Sequence, residues 1–257
     1  MRSRYRVSVG GVQMDTLDDN LLILDVSYAP ADPQVNTNRV ANMSGYDYGD
    51  PYLEKQVVTI TFELHIYDIL KRNEACQKVN LWASNGGTLT VNDRKDQRLV
   101  YVRCEQFASI TSMRNWTDPL TIVFATTEFP YWQSMTEKSI TIKSSGSGTL
   151  KLDGNYGKAL VFVEATADAN VTSYRIDVGD TFIEFKKTLS LASGDKLTIN
   201  NTHWRYLTVK QAGKSVLSKM DPASSDSLLA VCGENTKVTV KANGKITTVV
   251  KARGLWL

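Results

Sequence analysis

Histidine is almost missing from this chain of 257 residues, with His65 and His203 the only two. Catalytic and metal centres need several convergent ligands. Neither histidine has a second at ligand spacing, so each reads more simply as a strand or turn residue. Cysteine is scarce as well. Cys76, Cys104 and Cys232 are odd in number, far apart and without CxxC spacing, which argues against a disulfide framework or a zinc site and fits synthesis in a reducing cytoplasm. No apolar run approaches the roughly 20 residues of a membrane helix. The basic start Met1–Tyr5 leads into alternating residues rather than an apolar signal core. An excess of one charge is lacking too: 30 basic and 27 acidic residues leave a net charge of +3. A sequence-specific nucleic-acid binder carries a concentrated basic patch, and none is present. Nucleophile elbows, Walker loops and GxGxxG turns are absent. These absences predict a binding or building unit that is not an enzyme, with no cofactor, no metal and no membrane partner.

What is present is β pattern. From Gln56 to Tyr67, Val58, Ile60, Phe62, Leu64 and Ile66 alternate with Thr59, Thr61, Glu63 and His65, the period of a strand with one buried face. At Asp68 the period changes to helical spacing through Ile69, Cys76, Val79 and Trp82. Asp68 is placed to cap such a helix, and Asn85-Gly86-Gly87 to stop it. Before it, Val7 and Val9, the turn Gly10-Gly11 and the return Val12–Met14 predict a hairpin, and Leu21–Tyr28 a strand. The polar stretch from Gln34 to Pro51 reads as a long loop.

After the helix, Thr88–Val91, Arg98–Gln106 and Leu120–Thr126 read as strands. Strict alternation puts Leu99, Tyr101 and Arg103 on one face and Val100, Val102 and Cys104 on the other. The aromatic join Glu128-Phe129-Pro130-Tyr131-Trp132 follows, then the strand Lys138–Lys143 and Ser144–Gly148, the most linker-like composition in the chain. From Thr149 onward short strands alternate with turns such as Gly179-Asp180 and Asn243-Gly244, the pattern of a β-sandwich. The expected class is mainly β: residues 1–135 form a β-sandwich-like domain with one α-helix, and residues 136–257 an all-β sandwich.

Candidate functional residues are few. Tyr46, Tyr48 and Tyr52 lie in a polar, glycine-containing stretch where a core role is hard to arrange, and tyrosine suits interfaces. Arg94 and Lys95 occupy the charged turn Asn92–Gln97. Trp204 and Tyr206 share one face of a strand in the second half; they either fill the sandwich core or stack on a saccharide.

The layout resembles the distal tail proteins of long, non-contractile-tailed bacteriophages. The resemblance rests on Val58–Tyr67 running into Asp68–Ser84, and on Leu120–Thr126 before Phe129-Pro130-Tyr131. It rests also on Cys232-Gly233-Glu234-Asn235 before the last strands and on the ending Ala252–Leu257. It implies a C-terminal sandwich of galectin-like type and a place at the virion's tail tip after synthesis in the bacterial host. It further implies a homohexameric ring, built by the N-terminal domains, through which DNA passes. The implied partners are the tail tube protein, a tip or fibre protein and a receptor-binding protein. The resemblance makes Tyr46, Tyr48, Tyr52, Arg94 and Lys95 candidate ring or tube contacts. A carbohydrate-binding module and another tail-tube or baseplate protein are the alternatives.

Overall fold

The computed structural model describes residues 3–31, 33–34, 37–39, 46–48, 52–110, 118–202 and 206–257, and only the backbone of 33–34, 37–39, 46–48, 52 and 202. The chain divides into two compact units, Met1–Trp132 with Leu257, and Gln133–Trp256.

In the first unit, β1 (Val7–Val9) and β2 (Val12–Gln13) form the opening hairpin around Gly10 and Gly11, whose φ of 59° and 86° suit a tight turn only glycine adopts freely. β3 (Leu21–Ala29), β4 (Val57–Leu64), α1 (Ile69–Ser84), β5 (Gly87–Val91), β6 (Gln97–Gln106) and β7 (Leu120–Thr126) follow. They make an antiparallel sheet in the order β2-β1-β5-β6-β7-β4-β3. The alternating strand is therefore second from an edge, paired through Ile60 to Ile122 of β7 and Val26 of β3. Val58, Ile60 and Phe62 are fully buried, and each such side chain contributes about 1.5–3 kcal/mol. The strand stops at Leu64, short of Tyr67.

α1 starts where expected. Asp68 Oδ1 accepts the N–H groups of Leu70 and Lys71 at 2.8 and 3.3 Å, satisfying two of the donors a helix start leaves open. Cys76, Val79, Trp82 and Ala83 are buried. Trp82 meets Phe124 of β7 edge to face at 5.8 Å and donates its indole N–H to Val12 O at 2.9 Å. Gly86 and Gly87, at φ 60° and 104°, turn the chain into β5.

Two expectations fail in this unit. The polar stretch before β4 is not a plain loop. Pro33–Gln34 pairs with Tyr52–Leu53, and Thr37–Arg39 pairs with Tyr46–Tyr48. Strands of two or three residues are too short to leave a periodic trace in the sequence. In β6 the alternation breaks. Leu99 and Val102 both face the core, because the register against β5 shifts between them and Tyr101 takes φ 55°. One extra residue in a bulge exchanges the two faces beyond it.

The second unit is a sandwich. Its first sheet joins β8 (Lys138–Lys143), β10 (Lys158–Ala167), β13 (Lys196–Thr202), β14 (Tyr206–Gln211), β15 (Lys214–Ser215) and β18 (Ile246–Ala252) in the order β8-β18-β10-β13-β14-β15. β16 (Leu229–Val231) pairs with the start of β10. The second sheet has β9 (Gly146–Lys151), β11 (Tyr174–Val178), β12 (Thr181–Phe185) and β17 (Asn235–Ala242) in the order β9-β17-β11-β12. Tyr174 and Thr248, from opposite sheets, touch hydroxyl to hydroxyl at 3.3 Å in the interior. The serine- and glycine-rich stretch is a tight turn and a strand, not a linker. Ser144 turns at φ 57°, and Cβ atoms at Gly146 and Gly148 would meet Ile142 and Ile140 at 3.4 and 3.3 Å. There glycine serves close packing between strands.

Candidate functional site

Of the candidate residues, Arg94 receives the most definite surroundings. The turn after β5 is closed by Arg94 N–H donating to Val91 O and Gln97 N–H donating to Arg94 O, both at 3.1 Å. Its position is anchored by Asn92, which accepts Arg6 N–H at 2.7 Å through its side chain. The Arg94 guanidinium lies over two rings, 4.7 Å from the centroid of Tyr28 and 4.9 Å from that of Trp132. These rings meet edge to face at 5.5 Å. A planar cation over aromatic faces is attracted by their quadrupoles. The neighbouring Asp93 accepts the Tyr28 hydroxyl at 2.5 Å. Below, Trp132 is fully buried. The Gln56 carboxamide, oriented by its partners, accepts the Trp132 indole N–H and donates to Pro130 O, both at 3.1 Å. Gln56 N–H in turn donates to Thr126 Oγ1 at 2.9 Å.

This cluster joins four segments distant in sequence: the end of β3, Gln56 just before β4, the charged turn and the aromatic join. Arg94 is thus engaged by rings of its own chain, while Lys95 beside it is exposed. Sequence reasoning missed Tyr28 and Gln56, and recognised Trp132 only as part of the join. The sole signal at Gln56 was a polar residue just before a buried strand. Tyr46, Tyr48 and Tyr52 sit on the short paired strands already described.

In the second unit the saccharide candidates separate. Trp204 lies outside the described residues, and so does His203. Tyr206 opens β14 with 67% of its surface exposed, so it does not fill the sandwich core. The most elaborate polar grouping there is one the sequence did not signal. Arg175 on β11 donates through Nε and Nη2 to Asp177 Oδ1 at 2.9 and 2.5 Å, and through Nη1 to Glu184 Oε2 at 3.3 Å on the opposite strand. Its guanidinium carbon stands 4.2 Å from the Phe182 centroid. The carboxylates, Asp177 first, raise the guanidinium above its usual range. Both acids face the same cation, an arrangement that clamps strands rather than supplying the acid and base of a hydrolase. Nearby, Lys186 pairs with Asp221 at 2.6 Å and holds that carboxyl below the usual range. In the first unit His65 Nε2 lies 2.7 Å from Glu63 Oε2. Among the described residues, no group of three or more His, Cys, Asp and Glu side chains is arranged to hold a metal.

The buried phenols make one pH response calculable. Burial, with smaller help from Asp93, pushes the Tyr28 hydroxyl well above its usual range, and burial does the same to Tyr174. Both groups keep their proton in the folded chain after an unfolded tyrosine has lost it near pH 10. Their stabilisation is therefore complete below pH 10 and declines as pH rises further. For the fully buried Tyr174 the loss is about 1.4 kcal/mol per pH unit; partly buried Tyr28 adds less. Urea midpoints measured from pH 9 to 12 should fall, and Tyr174→Phe should flatten the alkaline limb.

With the geometry in view, known proteins supply comparisons. No protein-family profile matches the chain, and no curated protein matches it. Solved structures do. Its structural neighbours are phage Dit hub and baseplate proteins. The SPP1 Dit (gp 19.1) protein, described as a paradigm of the hub adsorption apparatus in phages infecting Gram-positive bacteria, superposes with a TM-score of 0.71 at 13% identity. The phage P2 baseplate in its calcium-activated conformation gives a TM-score of 0.45 at 10% identity, covering 97% of each chain. The SPP1 alignment covers 97% of this chain and 98% of the other, so the chain has, from one end to the other, the fold of the SPP1 Dit protein.

Proposed function

We propose that this chain is a structural subunit of a bacteriophage tail tip, a distal tail protein at the hub of the adsorption apparatus. The observation that carries this reading is the match to SPP1 Dit over nearly the whole of both chains, since a shared single domain alone would say little about role. The subunits form a six-membered ring. One face meets the tail tube protein, and the other meets the tip or fibre protein and, through it, a receptor-binding protein. DNA passes through the lumen, and the small net charge of +3 suits a passage that does not grip phosphates. The chain is made in the host cytoplasm and works in the virion.

Two measurements test this. Negative-stain electron microscopy of the purified chain should show six-fold rings. Antibody labelling of phage particles that encode the chain should mark the tail tip. Particles that lack the chain, or label elsewhere, would overturn the reading.

A further inference from the structure

The first unit exposes apolar side chains at both ends of α1. At the start, Tyr67 is 88% exposed and Leu70 is 70% exposed. At the end, where Ser84 gives way to Gly86, a groove of about 330 Å³ opens, lined by Ser84, Gly86, Tyr101, Arg103, Phe107 and Glu128. Tyr101 and Phe107 are 43% and 46% exposed there. Tyr101 holds φ 55°, a left-handed conformation costing a side-chain-bearing residue on the order of 1–2 kcal/mol. Its carbonyl accepts both the N–H and the hydroxyl of Thr127 at 2.9 Å, which secures the bulge. Strain kept by surrounding structure marks places where a side chain has been put to use. The 16 residues of α1 set the two ends roughly 24 Å apart, so one copy cannot bring its own apolar start to its own groove.

We propose that the groove at the end of α1 receives Tyr67 and Leu70 of a second copy of this chain, head to tail. The inference rests on the ring reading above and names the surface that would build it. The two ends suit one another: one exposes Tyr67 and Leu70, and the other opens a groove with Tyr101 and Phe107 in its wall. Charges agree as well. Asp68 and Lys71 flank Leu70, and Arg103 and Glu128 flank the groove, all four exposed. Each side offers one acid and one base, so the orientation that sets Asp68 against Arg103 and Lys71 against Glu128 is favoured over the reverse, which opposes like charges. A contact using two different patches leaves one patch free on each terminal subunit, so it propagates until rotation closes a ring. An aromatic anchor buries roughly 150–250 Å², a fraction of the roughly 800 Å² per partner in a stable interface. Tyr67 accordingly acts as a hot spot within a larger contact.

The test uses the full-length chain and two double variants, Tyr67→Ser with Leu70→Ser, and Tyr101→Gly with Phe107→Ser. All four side chains are exposed, and glycine suits φ 55° better than tyrosine, so folding should survive. Mass photometry of the wild type should give a closed multisubunit species. Each variant alone should run as a monomer, with self-association weakened at least roughly 30-fold. Mixed together, the variants should form a one-to-one dimer and grow no further, because one retains the groove and the other retains the protrusion. Variants that still assemble to wild-type mass would remove this surface and leave the ring reading standing. A wild type that stops at a dimer would remove the head-to-tail geometry. A wild type monomeric at every concentration would remove both the surface and the ring.

Discussion

Trp132→Ala is expected to cost the first unit roughly 3–5 kcal/mol, the range for deleting a large buried aromatic. Trp132 is fully buried, so its removal leaves a cavity that the surrounding sheet fills only in part. Three further losses accompany the cavity. Arg94 loses one of the two rings beneath its guanidinium, at 4.9 Å. Tyr28 loses its edge-to-face neighbour at 5.5 Å. Gln56, 1% exposed, loses the indole N–H that its carboxamide oxygen accepts, and an orphaned buried acceptor costs about 1–3 kcal/mol. Trp132→Phe separates these contributions, keeping most of the volume and removing the N–H, and should cost less than half as much. Urea unfolding followed by circular dichroism measures both. Equal and small losses from the two variants would show that the Trp132 cluster does not hold the unit together.

How much of that cluster could be read from residues alone follows from how its parts are encoded. Regular elements announce themselves locally. The alternation through Val58, Ile60 and Phe62, the cap at Asp68, the stop at Gly86 and the hairpin at Gly10-Gly11 all depend on neighbours a few positions away, and all stand in the structure. The Arg94 site depends on distance instead. Tyr28 and Asp93 lie 65 residues apart, and nothing near either one predicts the other. The turn carrying Arg94 was recognisable as charged, and Trp132 as an aromatic join; that one sits on the other depends on tertiary contacts between segments far apart in the chain, which no local pattern specifies. Arg175, Asp177 and Glu184 are a different case: they lie within nine residues, and the two-residue turn Gly179-Asp180 sets the register that places Arg175 opposite Glu184, but nothing in a strand's alternation marks which polar pairs will meet.

Irregularities escaped for a different reason. The bulge at Tyr101 is one inserted residue in a strand whose composition, Leu-Val-Tyr-Val, suits either face. Propensity alone could not place the break. The strands Thr37–Arg39 and Tyr46–Tyr48 are three residues long, too short for the alternation that reveals strands in sequence. The exposed ends of α1 are half visible. Tyr67 and Leu70 do not stand out, because an apolar residue facing outward looks the same in sequence as one facing inward.

Gly154→Ala should destabilise the second unit by about 3 kcal/mol or more and lower its melting temperature by about 10 °C. The last residues of that unit pack against the loop between β9 and β10. Gly154 bridges to Leu255, and the N–H groups of Asn155 and Tyr156 donate to Leu255 O at 3.0 and 3.3 Å. Leu255 is 2% exposed. On the other side Ser134 N–H donates to Gly254 O at 2.9 Å, and the Arg253 guanidinium reaches the Ser134 carbonyl at 3.1 Å. A Cβ on Gly154 would stand 2.3 Å from Leu255 O and 2.7 Å from Leu255 N. These are backbone atoms, so no side chain can move aside. The φ of 115° adds strain of its own. Gly213→Ala separates the two effects: Gly213 also has positive φ, 81°, but nothing lies within 4 Å of its added Cβ. That variant should lose only about 1–2 kcal/mol of backbone preference. Calorimetry on the pair would measure the difference between them, the part owed to the close approach of Leu255. If Gly154→Ala proves no worse than Gly213→Ala, the closing segment moves aside at little cost and does not lock the sandwich.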